Sequence, residues 1–276
     1  MDTQAREQRL RVLQKMAEYE EKQYFDRDLE DDPPTVPLRP GEVDYLRKKP
    51  ISRLKTFVAN RVAYAYFERL IRKEQLLIRE VRGMEHFLSV EGGALLTCNH
   101  FHPFDNYAVF KAIEKQLPTR ELYKIIREGN YTSFPGLYGF FFRHCNTLPL
   151  GASLHVLGEL NRAVSVLLER GERILIYPEG AMWWNYRKPR PYKEASFHFA
   201  AKNQKPVIPF FITMQDSDRA DESGFPIQAY TVHILPPIYP SPSLSVRENA
   251  KRMKEQNEAC VKELYESVYG VPLSYR

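Results

Sequence analysis

A histidine and a carboxylate five positions apart, His100 and Asp105, stand in the stretch Asn99-His100-Phe101-His102-Pro103-Phe104-Asp105, directly after the apolar run 94–98. An imidazole held by a carboxylate is a general base: the carboxylate fixes the tautomer and stabilises the imidazolium formed when the base takes a proton. The two groups meet only if the chain turns back on itself between them. The apolar run reads as a buried strand that delivers His100 to the mouth of a sheet, where α/β active sites lie. Pro103 suits the first position of a helix, which makes Asp105 a first-turn residue. The helix dipole alone favours an acid there, so the pair gains meaning from what other segments bring to the same rim.

Four segments do so. The apolar strand 174–177 ends at Pro178-Glu179-Gly180, again a polar group at a strand's carboxyl end, with a glycine that lets the backbone approach a ligand or present an amide. The stretch Gly136–Arg143 is aromatic and ends in an arginine, either a paired structural charge or a phosphate ligand, a role suited to its planar two-pronged fork. Lys193 precedes a helix start and points a cation at the same rim. Pro206-Val207-Ile208-Pro209-Phe210-Phe211 reads as a buried strand whose interior proline predicts an edge, bulge or rim position.

The elements that must hold these residues follow from pattern. Strands are expected at 93–99, 121–127, 144–149, 173–177, 206–213 and 229–235, and helices at 103–116, 152–170, 193–204 and 244–268. Such alternation predicts an α/β fold with a largely parallel sheet flanked by helices on both faces. An N-terminal helical arm precedes it. Residues 1–45 hold 7 Lys/Arg and 12 Asp/Glu, forming a charged helix at 3–25 and an acidic, proline-rich linker at 26–40. Residues 46–82 hold 11 Lys/Arg and 3 Asp/Glu, with a helix at 51–78 whose apolar stripe is ringed by cations. That helix faces an anionic membrane or packs on the α/β domain, 83–276; both readings are open.

At 276 residues the chain needs no disulfide or metal to hold its core. Its three cysteines, Cys98, Cys145 and Cys260, are scattered, which fits a reducing compartment and argues against structural zinc. The polar first 32 residues lead to the expectation of no signal peptide, and no apolar run is long enough to span a membrane. A cytoplasmic protein, peripherally associated with the inner face of the membrane, is expected. The basic stretch carries no nucleic-acid recognition motif, so nucleic acid is not expected as a partner.

The ordered segments resemble the glycerophospholipid acyltransferases of the 1-acylglycerol-3-phosphate acyltransferase type. Asn99, His100 and Asp105 match the family's Asn-His-x-x-x-x-Asp motif. Gly136–Arg143 matches its Gly/aromatic stretch, Tyr177-Pro178-Glu179-Gly180 its aromatic-Pro-Glu-Gly and Val207-Ile208-Pro209 its Val-Ile-Pro. The resemblance covers residues 76–240. It implies transfer of a fatty acyl group from acyl-CoA or acyl-carrier protein, as co-substrate, to a lysophospholipid hydroxyl, with no cofactor or metal. His100 is then the base and Asp105 its orienting partner. Arg143, Glu179 and Lys193 hold the acceptor's head group, and an amide near Gly180 serves the developing oxyanion.

The chain departs from the pattern at one place. Where the family has Thr-Arg after Glu179-Gly180, it has Ala181-Met182-Trp183-Trp184. Arg187, Lys188 and Arg190 are candidates to replace the missing arginine, whose family role concerns the acceptor's phosphate. Alternatively Met182, Trp183 and Trp184 line an apolar acceptor site or enter the lipid interface. A non-phosphate lipid or amine acceptor, and a catalytically silent lipid-binding scaffold, are the competing readings.

Overall fold

A computed structural model of the chain describes residues 2–275 apart from Pro118 and Arg120. The chain runs α1 (Thr3–Glu21), α2 (Pro50–Arg72), β1 (Leu77–Arg82), α3 (Met84–Leu88), β2 (Ala94–Thr97), α4 (Asp105–Ile113) and β3 (Tyr123–Arg127). It continues through α5 (Glu128–Ser133), α6 (Gly136–His144), β4 (Thr147–Leu150), α7 (Leu154–Glu169) and β5 (Arg173–Ile176). A 3-10 turn (Glu194–Phe197), α8 (His198–Lys202), β6 (Val207–Ala220), β7 (Pro226–Ile234) and α9 (Val246–Tyr269) complete it.

Among the described residues seven strands form one sheet in the order β1-β7-β6-β2-β5-β3-β4, parallel except for the β6/β7 hairpin. Successive residues of β2 point to opposite faces. Leu95 joins the layer of Leu160, Val164 and Met253 from α7 and α9. Leu96 joins that of Phe67, Ala108 and Val109 from α2 and α4. Both faces of a buried parallel sheet must be apolar, which is why these strands read as continuous hydrophobic runs.

The structure differs from the sequence expectations where local chemistry outweighs period. The second helix stops at Arg72 instead of Ile78 because Glu74 takes a left-handed φ of 56°, freeing 77–82 to become edge strand β1. Of the expected positions for Pro209, edge, bulge or rim, the structure shows the rim of an interior strand. Pro209 pairs with Thr97, the last β2 position in register, one residue before the β7 ladder begins at Phe210, where a missing N–H costs least. The aromatic stretch 136–144 is a helix, α6, packed against α2 through the Tyr66 and Phe141 rings.

The acidic stretch after α1 lies on the domain surface as an anchored strap. Phe25 and Leu29 are buried beside Val12 and Met16 of α1 and beside Trp183 and Trp184. Further on, Leu38, Val43 and Tyr45 enter the main core. The helix α2 is divided along its length. Phe67 near its carboxyl end stacks on Tyr107 of α4 at 4.3 Å. Nearer its amino end Ile51, Leu54, Val58 and Val62 are 40–58% exposed on one stripe.

Candidate active site

Strand β2 ends at Thr97, and Asn99 extends its work by one further step. Its side-chain amide donates to the Ile212 carbonyl at 3.0 Å and accepts from the Ile212 N–H at 2.8 Å. The side chain thus imitates a peptide group and holds β6 where the backbone of β2 has already turned away. That leaves the next residue, His100, free to leave the sheet at its carboxyl end.

His100 Nδ1 lies 2.8 Å from Asp105 Oδ2. The carboxylate is fully buried, and Oδ2 also accepts from the Phe101 and His102 amides at 3.0 and 3.2 Å. Its other oxygen, Oδ1, accepts from the Tyr177 hydroxyl at 2.6 Å. Asp105 is therefore an acceptor on every side, which makes His100 Nδ1 the donor and leaves Nε2 the bare, basic nitrogen. The Tyr177 ring stacks on the imidazole at 4.0 Å with planes 16° apart. Burial, then the Asp105 charge, pushes the Tyr177 hydroxyl well above its usual pKa, so it remains a protonated donor. Burial likewise holds Cys98 as a thiol, far from thiolate chemistry, and keeps neighbouring His102 neutral with a pKa lowered to about 4.

Glu179 and Arg190 lock the histidine's backbone. Glu179 Oε2 accepts from the His100 N–H at 3.1 Å and from Arg190 Nη2 at 2.6 Å. The same guanidinium donates to the carbonyls of His100 and Ala181, and its Nη1 to that of Phe25 at 3.0 Å. Both side chains are almost wholly buried, 2% exposed each. The Trp183 amide adds a 3.1 Å bond to the His100 carbonyl.

His100, Gly180, Met182 and Lys193 open onto a cavity of about 2040 Å³ that continues between α2, α4 and α6 past Phe57, Phe67, Phe110 and Phe141. At Gly180, φ is 80° and a Cβ would come within 2.9 Å of the Lys193 side-chain end, so glycine lets that lysine lie across the loop. Among the described residues no cluster of three or more His, Cys, Asp or Glu is arranged to hold a metal ion.

Several expected roles change. Glu179 does not reach toward an acceptor: both its oxygens are taken by the chain, Oε1 by the Arg190 amide at 3.0 Å. Arg143 donates to the carbonyls of Tyr131 and Phe134, tying α5 to α6, and does not line the cavity. The Gly180 amide closes a turn onto the Tyr177 carbonyl at 3.1 Å and is spent there. Trp183 and Trp184 are buried under α1, not at a lipid surface or acceptor site. Of the candidate replacements for the missing arginine, Arg187 pairs with Asp216, Lys188 with Glu20 and Arg190 with Glu179. None of the three faces the cavity.

Residues 78–213 match the acyltransferase family model. That core is an acyltransferase-family domain. The structure is similar to that of the 1-acyl-sn-glycerophosphate (LPA) acyltransferase PlsC from Thermotoga maritima. The TM-score is 0.53 at 19% identity over 80% of this chain and 85% of that one, a likeness of fold. No curated protein matches the sequence significantly. In the acyltransferase domain, the residues missed by sequence reasoning are Tyr177 as a partner of Asp105 and Arg190 as a buried clamp. Tyr177 had a signal: it ends an expected strand, the same pattern that singled out His100.

Proposed function

We propose that the protein transfers a fatty acyl group from an acyl thioester, acyl-CoA or acyl-carrier protein, to a hydroxyl of a lysophospholipid such as 1-acylglycerol-3-phosphate. The observation that carries this reading is the His100 imidazole, held by Asp105 and Tyr177, facing a long aromatic-walled cavity at the carboxyl ends of the strands. The cavity takes the acyl chain and excludes water. Nε2 removes the hydroxyl proton as the oxygen attacks the thioester carbonyl, and the proton passes to the departing thiolate as the C–S bond breaks. Asp105 steadies the imidazolium in between. General-base help of this kind contributes about 10²- to 10⁴-fold. Cys98, buried and protonated, takes no part, so transfer is direct and no acyl-enzyme forms.

Membrane contact belongs to the same proposal. The exposed stripe Ile51, Leu54, Val58 and Val62, with Arg53, Lys55 and Arg61 beside it, suits the interface of an anionic bilayer. Among the described residues no helix is long and apolar enough to cross a membrane. The protein then works peripherally, on the cytoplasmic face, drawing lysolipid from the bilayer. The test is incubation with acyl-CoA or acyl-carrier protein and a mixture of lysolipids in anionic vesicles, with products identified by mass. A diacyl phospholipid is expected; hydrolysed thioester without an acylated lipid would refute the reading.

A further inference from the structure

The family's arginine is missing, its three nearest substitutes are engaged elsewhere, and Arg127 is a cation at the strand ends that lines the same cavity as His100. Arg127 is the last residue of β3, and register places it level with the Pro178–Gly180 loop: Tyr123 pairs with Ile174 and Lys124 with Leu175. Its strand is two places from β2, about 10 Å at ordinary strand spacing, and it lines the same cavity as His100 and Gly180. The guanidinium holds Asp28 with both prongs, 2.7 and 2.5 Å, and Asp32 at 3.5 Å. This is the planar two-pronged geometry that also fits a phosphate.

The carboxylates come from the strap, which is fastened on both sides of Asp28. Arg190 holds the Phe25 carbonyl, Trp183 Nε1 holds that of Arg27 at 2.9 Å, and Lys15 that of Leu29 at 3.0 Å. The backbone is thus pinned to the very loop that replaces the family's Thr-Arg. The ion pair itself is loose: the side chains of Arg127 and Asp28 are 49% and 33% exposed. Burial and then the Asp28 charge push Asp32 above the usual carboxylate range, because two acids crowd one guanidinium.

We propose that Arg127 is the acceptor's phosphate ligand and that Asp28 is its resident counter-ion, a side chain the phosphate must displace. The arm thereby sets head-group selection: a phosphate monoester, carrying more charge than a carboxylate, takes the guanidinium, and a neutral head group gains nothing there. This inference rests on the lysophospholipid reading of the same site. Exposed ion pairs contribute at most about 1 kcal/mol, so the competition changes affinity by a few-fold and leaves the fold intact.

Titration calorimetry on the full-length protein tests it with three probes: 1-hexanoylglycerol 3-phosphate, 1-hexanoylglycerol and inorganic phosphate. Asp28→Asn is expected to tighten binding of the phosphate-bearing lipid about threefold, with no change for the neutral one. Arg127→Gln is expected to weaken the former about tenfold and to erase the effect of Asp28→Asn in the double variant. A parallel gain for inorganic phosphate assigns the site to phosphate alone; a gain confined to the lipid assigns it to the lysolipid head group. Unchanged affinity in Asp28→Asn, equal gains for phosphate and neutral lipids, or an undiminished Asp28→Asn effect without Arg127 would overturn the inference. If these shifts appear but no acceptor is acylated, the lysophospholipid reading fails while the counter-ion stands; the converse result separates them equally well.

Discussion

The floor and the rim of this cavity are built on opposite principles. At the floor, Asp105 is wholly buried with four hydrogen bonds converging on its two oxygens, and the Glu179–Arg190 pair clamps both the N–H and the C=O of His100. At the rim, Arg127 and Lys193 meet carboxylates of the strap through half-exposed pairs at 2.5 and 4.0 Å. Buried networks rigidify because each unmade bond costs the desolvation of its partner. Exposed pairs are nearly free to exchange. In the proposed reaction the base is fixed before substrate arrives, while the rim cations proposed to meet a head group remain replaceable.

Breaking the floor should have the larger consequences. Asp105→Asn keeps the shape but offers Nδ1 a group that no longer enforces the tautomer; acyl-transfer kcat is expected to fall about 10³-fold, and a loss under tenfold would show that the carboxylate is dispensable. Arg190→Leu strands the Glu179 carboxylate without its partner, a cost of about 3 kcal/mol read as a lower urea midpoint. An unchanged midpoint would mean that the clamp contributes nothing to the fold.

A pH titration sharpens the contrast. His102 and His233 both have pKa values lowered to about 4, by burial first, against a usual value near 6.5. The unfolded chain binds these protons at higher pH than the folded one. Stability is therefore full above pH 6.5 and declines as pH falls toward 4, and His102→Asn, which keeps an acceptor for the Phe104 amide, should flatten part of that slope. A melting temperature constant from pH 7 to 4.5 would contradict it. The smallest effect is expected outside the cavity. Leu54→Asp with Val58→Asp should reduce co-sedimentation with anionic vesicles several-fold, with unchanged thermal melting; undiminished binding would remove α2 from the membrane contact. Point changes are the right tool, since Phe67 and Leu76 of the same segment lie in the core.

His100 and Asp105 were legible in sequence and the clamp around them was not, for a physical reason. A short apolar run ending in polar residues announces the strand end that carries His100, with Asp105 in the turn after it, whereas Tyr177 joins them only because strands β2 and β5 are adjacent. The alternation of elements and the parallel sheet followed from the same signal. Arg190, by contrast, acts through contacts 90 and 165 positions away in sequence, which no local pattern encodes. Trp183 and Trp184 looked like surface aromatics because the helix that buries them, α1, is polar on most of its faces and contributes Val12 and Met16 alone to full burial. The strap read as a linker since its acidic, proline-rich composition is that of a solvated segment. Its order comes from Arg127, Arg190 and Trp183, all distant in the chain.

The central claim is that His100 is the base that moves an acyl group from a thioester to a lysophospholipid hydroxyl. Its most direct test is thiol release from acyl-CoA, together with the mass of the lipid product, for the wild-type chain and for His100→Ala in the presence of 1-acylglycerol-3-phosphate. The account predicts acceptor-dependent release and a diacyl product for the wild type, with a loss of at least about 10²-fold in the variant and no change in its melting curve. A correctly folded His100→Ala protein that formed the same product at a comparable rate would contradict it.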